Sequence, residues 1–479
     1  MPTTKSVIDV RNPRTGRVDY QIKACSIDEI ALTVAQLRDA QYHWKQRAPN
    51  ERADLLRRFA ESVRKHSTAI GNALAIDTGR SAFSHFEAAI TVQLLNNWAD
   101  RCETIFKSMS NHGNSQQVPS VEYHHVLVPY PVVGVISPWN VPLLLALIDA
   151  IPALMAGCSV ILKPSEVTPR FVAPLTTALA DVPELASVLT IVTGGPDTGR
   201  AIIDHADAIC FTGSIATGKN VAQHAAQRFI PAFLELGGKD PAIILADANL
   251  ELASRAVIRS AIGMTGQACQ SLERVYVLDS VYDDFVKHLL TEIDTLTLSC
   301  DLPQEGDIGP LIFAPQAVTI QNQIDDAVRK GATIIRGGQA RFAGGTWYPP
   351  TVLTDVTHDM LIMQEETFGP VIPIIKVSSA TEAVKLANDS QFGLSGAVFS
   401  SDITAAQTLA SQLEVGAVSI NDASLTGVVN DVEKNSFKLS GLGGSRMGLA
   451  GLTRFLRKRA ILTQTAEPAR VTLYSEHKQ

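Results

Sequence analysis

The chain has 479 residues, too long for one hydrophobic core, so two or three lobes are expected. An apolar share of 46% against 19% charged residues is a globular balance and excludes a disordered chain. The net charge of -7 is modest and spread out, which gives no reason to expect nucleic acid as a partner.

The first residues, Met1-Pro2-Thr3-Thr4-Lys5, lead into polar sequence with no apolar signal segment. Cys25, Cys102, Cys158, Cys210, Cys269 and Cys300 show no CxxC spacing, which fits neither a zinc site nor a disulfide framework. A reducing, cytoplasmic setting is therefore expected. The spacing of Ala53, Leu55, Leu56, Phe59, Ala60 and Val63 predicts an amphipathic helix over 51–65, and similar patterns fill much of the first hundred residues. The run from Val121 to Val128 reads as a projecting hairpin strand. Its adjacent His124 and His125 point to opposite faces there and cannot share one ion.

From Pro131 onward strands and helices alternate. Strands are expected at 131–136, 159–162, 189–192 and 208–211, with helices over about 142–155 and from near Thr168. After Gly238 the alternation restarts, with helices near 250–264 and 281–296 and strands at 274–277 and 371–375. Such repetition implies two α/β lobes with mainly parallel sheets covered on both faces. The longest apolar stretch, Val141 to Leu162, carries Asp149, Pro142 and Pro152 and is interrupted by Gly157. It reads as buried core, since a membrane span would place Asp149 at mid-depth. Near the C-terminus, Arg454, Arg457, Lys458 and Arg459 beside Phe455 and Leu456 read as a solvated helix end.

Chemistry-bearing residues collect at predicted strand ends, the edge where open α/β sheets bind ligands. Ser137-Pro138-Trp139-Asn140 follows one strand, and Asn140 is either a helix cap or an amide donor to an oxyanion. Lys163-Pro164-Ser165-Glu166 follows the next, as a surface ion pair or a ribose site; an acidic residue there favours NAD over NADP. Thr212-Gly213-Ser214 opens a helix whose N-terminal N–H groups suit a pyrophosphate, although a GxxxxG spacing alone is weak. A lone cysteine is usually inert, yet Cys269 follows Glu235 in the chain, and a thiol nucleophile with a carboxylate base makes a two-step covalent oxidation possible.

In this order, with Glu235-Leu236-Gly237-Gly238-Lys239, Gly266-Gln267-Ala268-Cys269 and Glu365-Glu366-Thr367-Phe368-Gly369-Pro370, the motifs resemble the NAD(P)-dependent aldehyde dehydrogenase superfamily over nearly the whole chain. The resemblance implies an α/β fold with three parts. A Rossmann-type NAD-binding domain would span 1–118 and 134–237, and an α/β catalytic domain 238–437. A small β oligomerisation arm would use 119–133 and 455–470. It implies Cys269 as nucleophile, Asn140 with the Cys269 N–H as oxyanion hole, and Glu235 as the base that hydrolyses the thioester. Ser137, Trp139, Lys163, Ser165, Glu166, Gly213, Ser214, Gly237, Glu366 and Phe368 would contact NAD, and no metal is called for. A homodimer or homotetramer is expected, since an added edge strand leaves backbone groups for a partner subunit.

Two departures bear on mechanism and substrate. The family pattern Ser-Gly-x-Gly-Arg-Glu near the C-terminus is replaced by Ser440-Gly441-Leu442-Gly443-Gly444-Ser445-Arg446. A second relay carboxylate is thus missing, and Glu235 is expected to work with water or backbone groups. Some semialdehyde-oxidising relatives carry an arginine where Ile148 stands. Val141, Leu145 and Ile148, with Gln270 beside the nucleophile, would line the substrate pocket, where an unpartnered carboxylate would cost several kcal/mol. The expected substrate is an uncharged aromatic or medium-chain aldehyde. A charged semialdehyde, with its cation drawn from the loop 421–438, remains the alternative, as does a non-catalytic NAD-binding scaffold. Coenzyme A-acylating relatives generally lack the residue matched by Glu235, which argues against that chemistry.

Overall fold

The computed structural model describes residues 7–109, 112–468 and 476. Residues 469 and 470 of the expected arm lie outside them. Four helices, Ile27–Trp44, Pro49–Lys65, Ser67–Thr78 and Ser81–Met109, precede the first parallel sheet. The predicted helix over 51–65 begins two residues earlier at Pro49, where a missing N–H costs nothing.

Six strands form the first sheet, in the order Gly441–Leu442, Ala232–Glu235, Ala208–Thr212, Val132–Ile136, Ser159–Lys163 and Leu189–Ile191. All pairings are parallel except that of Gly441–Leu442. The chain starts at Val132–Ile136, moves outward on one side, then returns to build the other. The order therefore reverses beside this central strand, and a crevice opens at the strand C-termini there. The helix expected near Thr168 starts instead at Val172. Pro169 disfavours helical backbone at Thr168, whose hydroxyl donates to the Trp139 carbonyl.

Seven strands form the second sheet, in the order Thr333–Arg336, Thr351–Thr354, Val371–Val377, Leu272–Leu278, Asp240–Ile244, Ser395–Phe399 and Ala417–Ile420. Only the first pair is antiparallel. Helix Leu250–Ile262 is shorter than expected because a 3-10 turn, Gly263–Gly266, ends it. A third, antiparallel sheet joins Leu456–Gln464 to Val121–Pro129 and that strand to His112–Asn114.

Only Arg454 of the basic cluster sits at a helix end, as the C-cap of Ala450–Thr453, and it is not solvated. Arg457, Lys458 and Arg459 lie on the exposed strand Leu456–Gln464, paired in register with Val121–Pro129. Arg454 turns inward to Asp149. Backbone pairing with a distant strand, invisible in local charge, decides the conformation. No helix among the described residues is long and apolar enough to cross a membrane. Asp149 sits in the middle of the buried helix Pro142–Ala156, where Arg446 and Arg454 neutralise it.

Candidate active site

A cleft of about 770 Å³ opens at the crevice of the first sheet. Its walls include Ser137, Trp139, Asn140, Leu145, Lys163, Ser165, Glu166, Gly213, Ser214, Gly237, Cys269, Glu366 and Phe368. Strand-end residues of the first sheet thus meet Cys269, Glu366 and Phe368 from the second half of the chain. Val141 and Ile148 are buried outside this lining, at 8% and 5% exposure, with Ile148 packed into the main core of the first sheet. Gln270 also lies outside it and accepts a hydrogen bond from the Thr426 hydroxyl at 3.1 Å.

A left-handed backbone run delivers Cys269 to the cleft. Met264, Thr265 and Gly266 have φ of 54°, 59° and 67°, so the chain reverses just before Cys269. Gly266 is required, because a Cβ there would stand 2.3 Å from the Gly369 carbonyl. Gly238 is required too, with the Cys269 carbonyl oxygen only 2.2 Å from where its Cβ would lie.

The Asn140 amide donates to the Gln267 carbonyl at 2.9 Å, and Gln267 in turn accepts from the Ile312 N–H at 2.8 Å. Its second amide hydrogen remains available for an oxyanion. Asn140 is not the helix cap: Val141 holds that position and makes no side-chain bond. Glu87, from the long helix Ser81–Met109, accepts the N–H groups of Leu143 and Leu144 at 2.8 and 2.9 Å. Arg80 donates to the Asn140 carbonyl at 2.5 Å. No sequence signal marks Arg80 or Glu87, since a carboxylate inside a helix reads as surface.

Burial pushes the Cys269 thiol up to about 12, with Glu366, Asp240 and Glu235 adding to the shift and Arg446 opposing it. In the ligand-free protein the Cys269 side chain is therefore a protonated thiol at neutral pH. Glu366 is itself raised to about 8 by burial and by Glu273, while the Gly238 N–H, which it accepts at 3.0 Å, pulls it down.

Glu235 ends its strand one residue before Leu236, with its side chain 18% exposed. Side chains, beyond the water or backbone groups expected, also address it. The Ser436 hydroxyl donates to Glu235 Oε2 at 2.7 Å, and Arg446 Nε lies 4.0 Å from Oε1. Ser445 turns instead to the Lys434 carbonyl, to which its hydroxyl donates at 2.5 Å. Ser436 and Arg446 escaped sequence reading; the one available signal was a charged side chain beside the serine of the departing motif.

A dinucleotide fits the cleft's donor set. Lys163 Nζ donates to Glu166 Oε2 at 3.2 Å, forming a polar pair at its far end. Ser214 caps the helix Ile215–Gln227, whose free N–H groups suit a pyrophosphate. Ser137 Oγ is buried with no partner among the described residues. Gly237 packs against the Glu366 carboxylate, 2.4 Å from where a Cβ would be, so any side chain would push that carboxylate into the cleft. Trp139 stacks on Phe313 at 5.9 Å and meets Phe368 edge-on at 5.4 Å; Phe313 went unread in the sequence.

Comparison with known proteins identifies the family. A profile of the Aldehyde dehydrogenase family matches residues 1–461. An aldehyde dehydrogenase structure from Anabaena variabilis, described there as putative, superposes with a TM-score of 0.94 at 46% identity, covering 97% of this chain and 99% of that one. A betaine aldehyde dehydrogenase from Staphylococcus aureus in complex with NAD+ superposes at 0.92 with 31% identity, covering 98% and 94%. A Mycolicibacterium smegmatis protein named "Putative succinate-semialdehyde dehydrogenase", with NADP(+) in its name, is 34% identical over 94% of this chain and 87% of its own length. The chain belongs to the aldehyde dehydrogenase family and is an NAD(P)-dependent aldehyde-oxidising enzyme.

Proposed function

We propose that the enzyme oxidises an uncharged, hydrophobic aldehyde to its carboxylic acid through a covalent intermediate on Cys269, with NAD as the preferred cofactor. The observation that carries this reading is the convergence of Cys269, Asn140 and the strand-end residues on one cleft. Residues 1–118 and 134–237 are read as the cofactor-binding domain and 238–437 as the catalytic domain. The third sheet is read as the oligomerisation arm of a homodimer or homotetramer, since its strand Leu456–Gln464 is exposed.

In this mechanism the Cys269 thiol releases its proton to water and adds as thiolate to the aldehyde carbon, and the new oxyanion takes hydrogen bonds from the Asn140 amide and the Cys269 N–H. Bound NAD supplies a hydride acceptor. The oxidised adduct is a thioester on Cys269, and Glu235 removes a proton from the water that cleaves it. Lys163 and Glu166 would hold the adenosine ribose, with Ser165 and Ser137 beside them. Gly213 and Ser214 would hold the pyrophosphate, and Glu366, Phe368, Trp139 and Gly237 the nicotinamide end. Glu166 supports NAD over NADP, because its carboxylate would repel a 2′-phosphate.

Leu145, with Trp139 and Phe313, gives the cleft an apolar wall that supports a hydrophobic substrate. A second reading, oxidation of a semialdehyde, has one observation in its favour beside the succinate-semialdehyde name of a relative. Half-buried Lys434 stands within electrostatic range of Glu235 and Cys269, so a cation is at hand. NADH formation with benzaldehyde, hexanal, succinate semialdehyde and betaine aldehyde separates the readings. Turnover of the first two is expected, and preference for succinate semialdehyde would overturn the hydrophobic class. Faster turnover with NADP at equal concentration would overturn the role of Glu166.

A further inference from the structure

Behind the catalytic carboxylate lies an ion cluster that the reaction chemistry above does not use. Buried Asp149 accepts from Arg446 at 2.8 Å and from Arg454 at 2.5 Å. Arg454 is clamped between Phe233 and Phe455, its guanidinium 5.0 and 4.8 Å from the two ring centres. Arg446 Nη2 also donates to the Thr212 hydroxyl, so Asp149 and Thr212 together hold the guanidinium fixed. Two guanidiniums thus face one carboxylate, and the cluster needs a second negative charge. Arg446 Nε is buried with no hydrogen-bond partner among the described residues. Glu235 Oε1 lies 4.0 Å from it, while Glu235 Oε2 takes the Ser436 hydroxyl at 2.7 Å.

We propose that Arg446 and Ser436 are positioning residues for the base: each addresses one oxygen of Glu235, and together they orient its carboxylate for thioester hydrolysis. Glu235 is the carboxylate placed to face the second guanidinium of the Asp149 cluster. The fixed guanidinium and the serine on the 421–438 loop hold the carboxylate between the two halves of the chain. The inference rests on the reading of Glu235 as the hydrolytic base.

Only a carboxylate can take the proton of the hydrolytic water, so the steady-state rate has an acid limb, while the first-turnover burst of NADH does not depend on this step. Removing a neighbouring cation, or a donor to the carboxylate, moves that limb to higher pH. Arg446, Lys434, Cys269 and Cys210 are the titratable groups that couple to Glu235. The experiment measures burst amplitude and steady-state rate from pH 5 to 9 in the full-length protein and its Arg446→Gln, Arg446→Lys, Ser436→Ala and Lys434→Met variants.

Arg446→Gln is expected to move the acid limb up by about one pH unit or more, with the burst still near one NADH per site at pH 8. Arg446→Lys should restore most of the shift, because it returns the charge against Asp149. Ser436→Ala should raise the limb by a smaller amount. If Arg446→Gln does not fold, Ser436→Ala decides, since it touches only the second oxygen and sits on a partly exposed loop. An unmoved limb in Arg446→Gln and Ser436→Ala overturns the assignment, as does a shift found in Lys434→Met alone. Normal steady turnover by Glu235→Gln would instead remove the reading of Glu235 as base, and this inference with it.

Discussion

Replacing Glu273 by Gln tests how the second half of the chain holds its side of the cleft. Glu273 and Lys239 form an ion pair at 2.7 Å with side chains 2% and 0% exposed. Glu273 also accepts the N–H groups of Thr367 and Phe368 at 2.7 and 2.8 Å, which fixes the segment carrying Glu366 and Phe368. Gln has nearly the same shape but leaves the Lys239 ammonium buried without its counter-ion. Breaking one side of such a pair costs about 3–5 kcal/mol. Lys239 can escape by losing its proton, and burial already pulls its pKa down while Glu273 pulls it up. From a free-lysine value near 10.4, that escape costs about 4.6 kcal/mol at pH 7 and about 1.9 kcal/mol at pH 9.

The sign of the pH dependence follows. In the variant the unfolded state keeps the lysine proton and the folded state does not, so stability rises with pH up to the unfolded value. The stability gap to the native protein should be about 3–5 kcal/mol at pH 7 and should narrow by up to about 2.7 kcal/mol by pH 9. Urea unfolding at fixed protein concentration, followed by tryptophan fluorescence, reads the gap at both pH values. KM for NAD should rise with it as the Thr367–Phe368 segment loosens. A gap below about 1 kcal/mol at pH 7, or one that stays constant to pH 9, would refute the reasoning.

Three further outcomes are expected. Glu235→Gln should release a stoichiometric burst of NADH and then stall at hydrolysis; steady turnover at the native rate would rule the carboxylate out as base. With its thiol pushed up to about 12, Cys269 in the ligand-free protein should react with iodoacetamide on the order of 10³-fold more slowly at pH 8 than a free thiol. Its rate should climb tenfold per pH unit, and mass spectrometry of the Cys269 peptide would expose a plateau below pH 9, which would contradict that value. Cys269→Ala should abolish oxidation yet still bind NAD.

Much of the fold was legible because its signals are local. Alternation of apolar strands and amphipathic helices marks both parallel sheets, and glycines and polar residues at strand ends mark the cleft. Errors fell where a distant contact overrides a local pattern. Arg457, Lys458 and Arg459 look like a helix end until Val121–Pro129 pairs with them. Ile148 shares the helix of Leu145 and Val141 caps it, yet of the three only Leu145 lines the cleft, because packing against the first sheet turns Ile148 into the core.

The sequence by itself determined the family and the alternation, and it singled out Cys269, Glu235 and Asn140 as candidates, since short motifs at fixed strand ends carry them. Tertiary structure alone decided the electrostatics around those groups. Arg446 reaches Glu235, Glu273 reaches the Thr367–Phe368 backbone, and Glu87 caps the Asn140 helix, each across a large separation along the chain. Charge interactions fall off with distance in space, with no regard to distance in sequence, so no local window could have contained them.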